Sequence, residues 1–212
     1  MKKFTNFLLA IMAGAFIAIG GIIYLLLENK IIGSLLFSTG LYAVLTLGLN
    51  LFTGKVGYLF QNKAKTYIPF LVIVYLGNLV GSVLVAELIK LTRASQAIVE
   101  AATKTSQLKI GDNYLSLFVL GIFCNLLVVH AVYQYNSNKH EIGKYIGIVL
   151  SIMVFILCGF EHSIADMFYF HAAGMLFTAK GLTSLLVITL GNIVGGVIIP
   201  CLMAFKEKNL SR

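Results

Sequence analysis

The segments Gly77-Asn78-Leu79-Val80-Gly81 and Gly191-Asn192-Ile193-Val194-Gly195 are near-copies of each other, 114 positions apart (77 to 191) in a chain of 212 residues. Each lies inside a long apolar run, and each contains two glycines spaced four positions apart. Small residues at this spacing allow two membrane helices to pack closely, and we expect the asparagine in each segment to support that packing. The repetition predicts a chain built from two related halves.

Polar residues interrupt one apolar run in each half. In the first half the interruption covers Asn50 to Lys55 and a short apolar piece, 56–60, follows it; in the second it covers Glu161 to Asp166 and precedes 167–170. The displacement of 114 carries 50–53 onto 164–167, inside the second interruption. Unwound backbone at membrane depth is tolerated only where protein buries it or where it lines a cavity. Paired interruptions therefore predict two broken helices at a transport site.

Composition predicts a membrane protein. Hydrophobic residues make up 59% of the chain and charged residues 11%, against about 25% charged residues in soluble domains. We predict an all-α membrane protein with six transmembrane helices, of which helices 2 and 5 are broken. Each repeat, at about 7–91 and 114–205, has three spans, so the second is inverted, and residues 1–212 form a single membrane domain. The six runs, each of roughly 20 residues, are 7–27, 31–52, 68–91, 114–135, 142–160 and 182–205.

The positive charge predicts topology and no binding of nucleic acid. The net charge is +8, but the basic residues are scattered between apolar runs and form no patch. Six spans put both termini on one side, where ten basic residues, Arg212 among them, face six on the other side. Because cytoplasmic loops carry the excess of Lys and Arg, we expect cytoplasmic termini and a bacterial inner membrane. Cys124, Cys158 and Cys201 lie in apolar runs without close spacing and predict neither a disulfide nor a metal site.

Glu161, His162 and Asp166 are the main candidates for chemistry, because ionisable groups inside a membrane are costly and default to functional hypotheses. Apolar residues on both sides of the cluster favour burial over a solvated interfacial loop. An imidazole titrates near neutral pH, which makes His162 a candidate proton shuttle. Asn125, in the fourth run, is predicted either to hydrogen-bond across the bundle or to line a path. Lys109, just before that run, is typical of a lysine that snorkels to the interface.

Five motifs resemble the formate–nitrite transporter family, in that family's order and at its spacing over nearly the whole chain. They are Leu51-Phe52-Thr53-Gly54, Leu76-Gly77-Asn78-Leu79-Val80-Gly81-Ser82, Cys124-Asn125-Leu126-Leu127-Val128, Gly159-Phe160-Glu161-His162-Ser163-Ile164-Ala165 and Gly191-Asn192-Ile193-Val194-Gly195-Gly196. The fourth motif is the most specific. The resemblance implies an aquaporin-like six-helix protomer, a ring of five protomers, and in each protomer a pore for a small monovalent anion.

The resemblance also implies roles for individual residues. His162 matches the family's central pore histidine, and Glu161 matches its supporting acid. Thr53 matches the threonine of the first broken helix, and Asn125 matches the asparagine that faces it. Lys109 matches a family lysine ahead of the fourth span, which makes it an electrostatic contributor to the path. The positions that match hydrophobic constrictions are Phe37, Leu41, Leu51, Phe52 and Phe155.

Three positions depart from the family pattern. Asp166 stands where the family usually has asparagine and adds a negative charge beside an anion path. Asn50 replaces an acidic residue, and the segment after Phe170 is short and carries His171. Within the family the chain resembles most the nitrite-channel branch, through Met12-Ala13-Gly14-Ala15 and the lack of a proline after the second interruption.

The predicted function is a membrane channel or transporter for a small monovalent anion, with no enzymatic activity and no cofactor or metal. Nitrite and formate are the first candidates, hydrosulfide is the alternative within the family, and coupling to protons is left open. An aquaporin-like pore for neutral solutes usually has paired Asn-Pro-Ala motifs, whereas the prolines here are Pro69 and Pro200. A membrane metalloenzyme would need ligands at helix spacing, such as His-x-x-x-His, and the sequence has no such pair.

Overall fold

A computed structural model describes residues 1–210, so Arg212, counted above with the terminal charges, lies outside the described residues. The described residues are helical, as predicted, with turns and short connections between the helices. The elements are α1 (Lys2–Leu26), α2 (Lys30–Thr46), α3 (Phe52–Lys55) continued by a 3₁₀ turn (Val56–Gln61), α4 (Ala64–Lys90), α5 (Ser95–Gly111), α6 (Tyr114–Ser137), α7 (Glu141–Leu157), α8 (Ser163–Ala172) and α9 (Ala179–Leu210).

The series α1 to α4 recurs as α6 to α9, with α5 between the two. In each series the first helix packs most extensively on the last, α1 on α4 and α6 on α9, and the second helix lies beside the first. Within the described residues, α1, α4, α6 and α9 are long and apolar enough to cross a membrane. Helices α2 and α7 have 17 residues each, or about 25 Å at 1.5 Å per residue, less than the roughly 30 Å of hydrocarbon.

Both interruptions begin earlier than the sequence predicted. Helix α2 ends at Thr46 and α7 at Leu157, so the second and fifth runs, 31–52 and 142–160, are not continuous helices to their ends. The helical conformation resumes at Phe52 and at Ser163. The unwound residues are therefore 47–51 and 158–162, and the placement of Lys55 and Asp166 within the interruptions was wrong.

Glycines in the left-handed conformation end both helices. Gly48 has φ 65° and Gly159 has φ 67°, a region that is open to glycine because it lacks Cβ. The next amide in each case donates back across the turn, Leu49 N to Val44 O at 2.8 Å and Phe160 N to Phe155 O at 2.9 Å. This is the Schellman arrangement, which satisfies carbonyl groups at a helix C-terminus.

The two interruptions match at a displacement of 111 (48 to 159), whereas α4 and α9 match at 114. Asn50 N donates to Leu9 O, and in the same way Glu161 N donates to Leu120 O. Asn50 is thus the counterpart of Glu161, and the predicted match of 50–53 with 164–167 was wrong. The second half therefore has three more residues than the first, and these lie between its interruption and α9.

Asn78 and Asn192 fasten the interrupted backbone in each half. Asn78 Oδ1 accepts from Phe52 N at 2.8 Å, and its Nδ2 donates to Ala10 O at 2.8 Å and to Asn50 O at 2.9 Å. Asn192 forms the same three bonds, accepting from Ser163 N at 2.9 Å and donating to the carbonyls of Gly121 and Glu161 at 2.8 Å. Both asparagines are fully buried. They join three chain segments that lipid could not solvate.

Glycines bring the paired helices close enough for these bonds. A Cβ on Gly81 would overlap the Ile11 carbonyl oxygen, and a Cβ on Gly195 would overlap that of Ile122. The predicted role of the two pentapeptides in close helix packing agrees with these contacts.

Replacing Asn192 with Leu is expected to lower the free energy of unfolding by about 3 kcal/mol, because three buried hydrogen bonds are lost and their backbone partners stay buried. Thermal unfolding in mild detergent measures the loss. The matched control is Leu190→Ala, at a position of the same helix whose side chain is 48% exposed. Equal melting temperatures for the two variants would contradict the fastening role.

Candidate functional site

Two cavities open at opposite ends of α2. The first, about 620 Å³ in volume, reaches from Lys30 at the start of α2 to Phe155, His162 and Asp166. The second, about 140 Å³, is lined by the last turns of α2 and by residues of the first interruption and α3. Asn50 Nδ2 donates to Asn6 O at 3.3 Å, so the second cavity lies on the side of the N-terminus. The two interruptions therefore each contribute to a different mouth.

Apolar side chains separate the cavities. Phe155 lines the first cavity, while Leu41 and Leu51 line the second. The ring of Phe37 meets that of Phe155 edge-on, with centroids 6.0 Å apart, and all four side chains are at most 2% exposed. Three of the five predicted constriction residues thus line a cavity, and Phe37 packs on one of them without lining either cavity. Phe52 instead packs on Tyr75, with centroids 4.9 Å apart, and lines neither cavity.

His162 and Thr53 connect the two interrupted helices next to Phe155. His162 Nε2 lies 3.0 Å from Thr53 Oγ1, and the imidazole stacks on Phe155 with centroids 5.7 Å apart. The other ring nitrogen, Nδ1, accepts from Ala165 N at 3.2 Å and caps α8. Because Nδ1 accepts, the neutral ring carries its proton on Nε2 and donates it to Thr53. A second proton could enter only at Nδ1, with loss of the helix cap.

Lys109, Glu161 and Asp166 form one buried ionic cluster beside His162. Lys109 Nζ bonds to the Glu161 carboxylate and lies 3.0 Å from Asp166 Oδ1. The side chains are 15%, 5% and 1% exposed, respectively. Burial acts to lower the pKa of Lys109, but the charges of Asp166 and Glu161 outweigh burial and raise it, so the ammonium stays charged. Lys109 is an ion-pair partner and does not snorkel to the interface.

The Asp166 carboxylate is the incompletely paired member of this cluster. Neither carboxylate oxygen of Asp166 has a partner in hydrogen-bond geometry among the described residues, although Lys109 is close to one of them. Two carboxylates around one ammonium give a net charge of −1 when all three groups are ionised. A buried charge of this kind is costly unless it is compensated.

Asn125 is buried at the contact between α6 and α9. Its Nδ2 donates to Asn192 O at 2.6 Å, and its Oδ1 has no hydrogen-bond partner among the described residues. It lines neither of the two cavities. Of the alternatives raised by the sequence, the structure agrees with hydrogen bonding across the bundle.

Sequence reasoning did not identify Tyr169, whose hydroxyl is buried without a partner among the described residues and whose ring lines the first cavity. Tyr169 follows Asp166 by three positions on α8, so the two share a helix face. The three-residue spacing indicates this shared face only if Asp166 is helical, whereas the sequence predicted that Asp166 lies in unwound chain. His171, one of the departures, contacts Glu87 at 2.7 Å and lines neither cavity.

Comparisons with known proteins agree with this geometry. Residues 1–206 match a family model described as formate/nitrite transporter. The chain belongs to the formate/nitrite transporter family. The formate channel FocA of Haemophilus influenzae is 29% identical over 97% of this chain and 87% of its own length, and FocA of Escherichia coli is 30% identical over 90% and 82%. A solved structure described as a pentameric formate channel with formate bound superposes with a TM-score of 0.83 at 29% identity, covering 96% of both chains.

Membership of this family confirms several predictions. The protein is an integral membrane protein of a channel and transporter family, and it is not an enzyme. The metalloenzyme alternative is thereby excluded. Resemblance to the nitrite-channel branch stays a prediction, because these relatives are described as formate channels.

Replacing His162 with Leu is expected to lower the free energy of unfolding by about 2 kcal/mol, because α8 loses its cap and Thr53 loses its partner. His162→Asn is the matched variant: asparagine is a good N-cap, so it is expected to lose only the contribution of the Thr53 bond, about 1 kcal/mol. Thermal unfolding of both variants in detergent compares them. Equal destabilisation by Leu and by Asn would show that the cap contributes nothing.

Proposed function

We propose that this protein is a channel for a small monovalent anion, with formate and nitrite as the first candidate substrates and hydrosulfide as the alternative. The observation that carries the proposal is the pair of cavities lined on one side by Phe155 and His162 and on the other by Leu41 and Leu51, with Thr53 bonded to His162. A relative named as a formate channel and a similar structure with formate bound add formate as a substrate of similar proteins.

The wall requires an explanation of how an anion crosses it. A bare anion in an apolar constriction loses hydration worth many kcal/mol. Glu161 and Asp166 neutralise the charge of Lys109 at the first mouth, so a hydrogen-bond donor or a proton at the wall has to offset the penalty. His162 Nε2 and the Thr53 hydroxyl supply the donors. If His162 first takes up a second proton at Nδ1, giving up the α8 cap, it can pass its Nε2 proton to the substrate and return to a neutral ring. The small neutral acid that results crosses the wall without this penalty.

We further propose that the chain spans the membrane six times as two inverted repeats in an aquaporin-like arrangement, forming a single membrane domain. Matched glycine caps and matched asparagines support the repeat. Tyr75 OH bonds to Thr189 Oγ1 at 2.9 Å, and these residues are counterparts at the displacement of 114. A residue in contact with its own counterpart lies on the axis that relates the halves, as expected for a two-fold repeat. The broken pairs α2–α3 and α7–α8 act as spans 2 and 5 in this arrangement.

The assembly is proposed to be a homopentamer in a bacterial inner membrane with both termini in the cytoplasm. The pentameric relative supports the assembly, and so do the exposed apolar surfaces of α4 and α9. The excess of basic residues on the terminal side supports the orientation.

Purified protein in proteoliposomes is expected to conduct formate and nitrite, with fluxes above those of protein-free liposomes. An anion panel of nitrite, formate, hydrosulfide and lactate, together with swelling assays with water and glycerol, identifies the substrate class. Conduction of glycerol but of no anion would replace the proposal with the neutral-solute pore.

The same assay from about pH 5 to 8, the window where histidine titrates, compares wild type with His162→Asn. An altered pH profile in the variant supports proton transfer at His162, and an unchanged rate and profile would leave it a hydrogen-bonding strut.

Replacing Phe155 with Ala is expected to widen the wall between the cavities and to raise the ratio of lactate flux to formate flux by about tenfold. The control is Phe123→Ala, because Phe123 is 47% exposed on α6 and lines neither cavity. A folded Phe155 variant with unchanged flux and size selectivity would contradict the wall assignment.

A further inference from the structure

The mouth on the side of the termini contains an unpaired positive charge. Lys55, the last residue of α3, lines the 140 Å³ cavity and is the one charged residue among the described residues around it. Lys55 is not a member of any ion pair between described residues. Tyr67 OH donates to the Lys55 backbone carbonyl at 2.9 Å, which fixes the end of α3 and the starting point of the side chain.

Lys55 lies where this narrow cavity joins a wider groove. The groove, about 730 Å³ in volume, shares Gly54, Lys55, Tyr58, Val132 and Asn136 with the cavity and is also lined by Glu207. A solute that enters from this side therefore passes Lys55 before it reaches the wall.

Tyr58 adds a second donor at the same place. Asn136 Nδ2 donates to Tyr58 OH at 3.1 Å, so the hydroxyl oxygen is used as an acceptor. That bond does not use the Tyr58 O–H, which can therefore act as a donor. An ammonium and a hydroxyl donor at one narrow opening are suited to a small carboxylate or to nitrite.

The opposite mouth has a different balance of charge. Its lining combines three lysines with three carboxylates, so the formal charges cancel: Lys30, Lys104, Lys109, Asp112, Glu161 and Asp166. At the displacement of 111 the counterpart of Lys55 is Asp166 (55 to 166). The same place in the two repeats therefore carries a positive charge at one mouth and a negative charge at the other.

A lysine at a helix C-terminus on the cytoplasmic side also has two ordinary explanations, the helix dipole and topology. Exposed lysines such as Lys63 and Lys65 serve topology equally well. Neither explanation requires the ammonium to line a narrow, otherwise uncharged cavity.

We propose that Lys55 and Tyr58 form an anion-binding site at the terminal-side mouth, which sets the affinity of the channel for small monovalent anions entering from that side. The inference rests on the proposed anion conduction. It makes the channel asymmetric, with its uncompensated positive charge at the Lys55 mouth and not at the Lys109 mouth.

The test measures formate uptake into right-side-out and inverted membrane vesicles, with the orientation of each checked by protease access to a C-terminal tag. In Lys55→Gln, the formate concentration at half-maximal flux is expected to rise about fivefold for entry from the terminal side, because local anion concentration depends on the mouth's potential. Entry from the other side is expected to change less than twofold. The rise should be larger at low ionic strength, where charges are less screened.

Lys65→Gln is the matched control, since it removes the same charge from an exposed position on the same side, and Lys55→Arg should restore the wild-type value. Tyr58→Phe, which keeps every charge, provides an independent variant should Lys55→Gln fail to fold; it is expected to raise the half-maximal concentration about twofold from the terminal side alone. Equal behaviour of Lys55→Gln and Lys65→Gln, or of Tyr58→Phe and wild type, would overturn the inference. Wild-type vesicles that take up no anion would overturn the proposed function instead.

Discussion

Asn78 and Asn192 satisfy backbone groups that two interrupted helices leave unpaired at the centre of the protein. Each amide side chain bonds to three separate segments: the unwound residues, the start of the short helix and the first long helix of its half. Lipid offers no hydrogen bonds, so an interruption without such a partner would be costly. The glycines around each asparagine allow the necessary approach, and the left-handed glycines Gly48 and Gly159 end the preceding helices at the correct place.

The proposed function depends on this internal support. Because the interruption at 158–162 is held by Asn192, His162 can serve at once as the cap of α8 and as a partner of Thr53. These two bonds leave the neutral imidazole with one defined tautomer. The ring then stacks on Phe155, so the apolar wall and the polar residues that are proposed to help an anion cross it are in direct contact.

Charge is distributed unequally over a nearly symmetric scaffold. Asn50 and Glu161 are counterparts, yet Asn50 bonds to the N-terminal helix while Glu161 pairs with Lys109. Lys55 and Asp166 are likewise counterparts of opposite sign. A repeated fold thus provides two similar mouths, and single side chains make them electrostatically different. The distinction matters for a channel because the potential at each mouth affects the rate at which ions enter from that side.

Local sequence determined the membrane setting, the helical class, the two-part repeat and the identity of the cluster around His162. These features follow from apolar length and from short motifs, whose physical causes act over a few residues. The exact interruptions did not follow, because the ends of α2 and α7 depend on Gly48 and Gly159 adopting φ values that the surrounding packing stabilises. The register of 111 could not be read from the pentapeptides, which report only on α4 and α9. Tertiary structure alone decided that Phe52 and Asn125 lie outside both cavities and that Lys55 lies in one without an ion-pair partner. These properties depend on which distant segments come together.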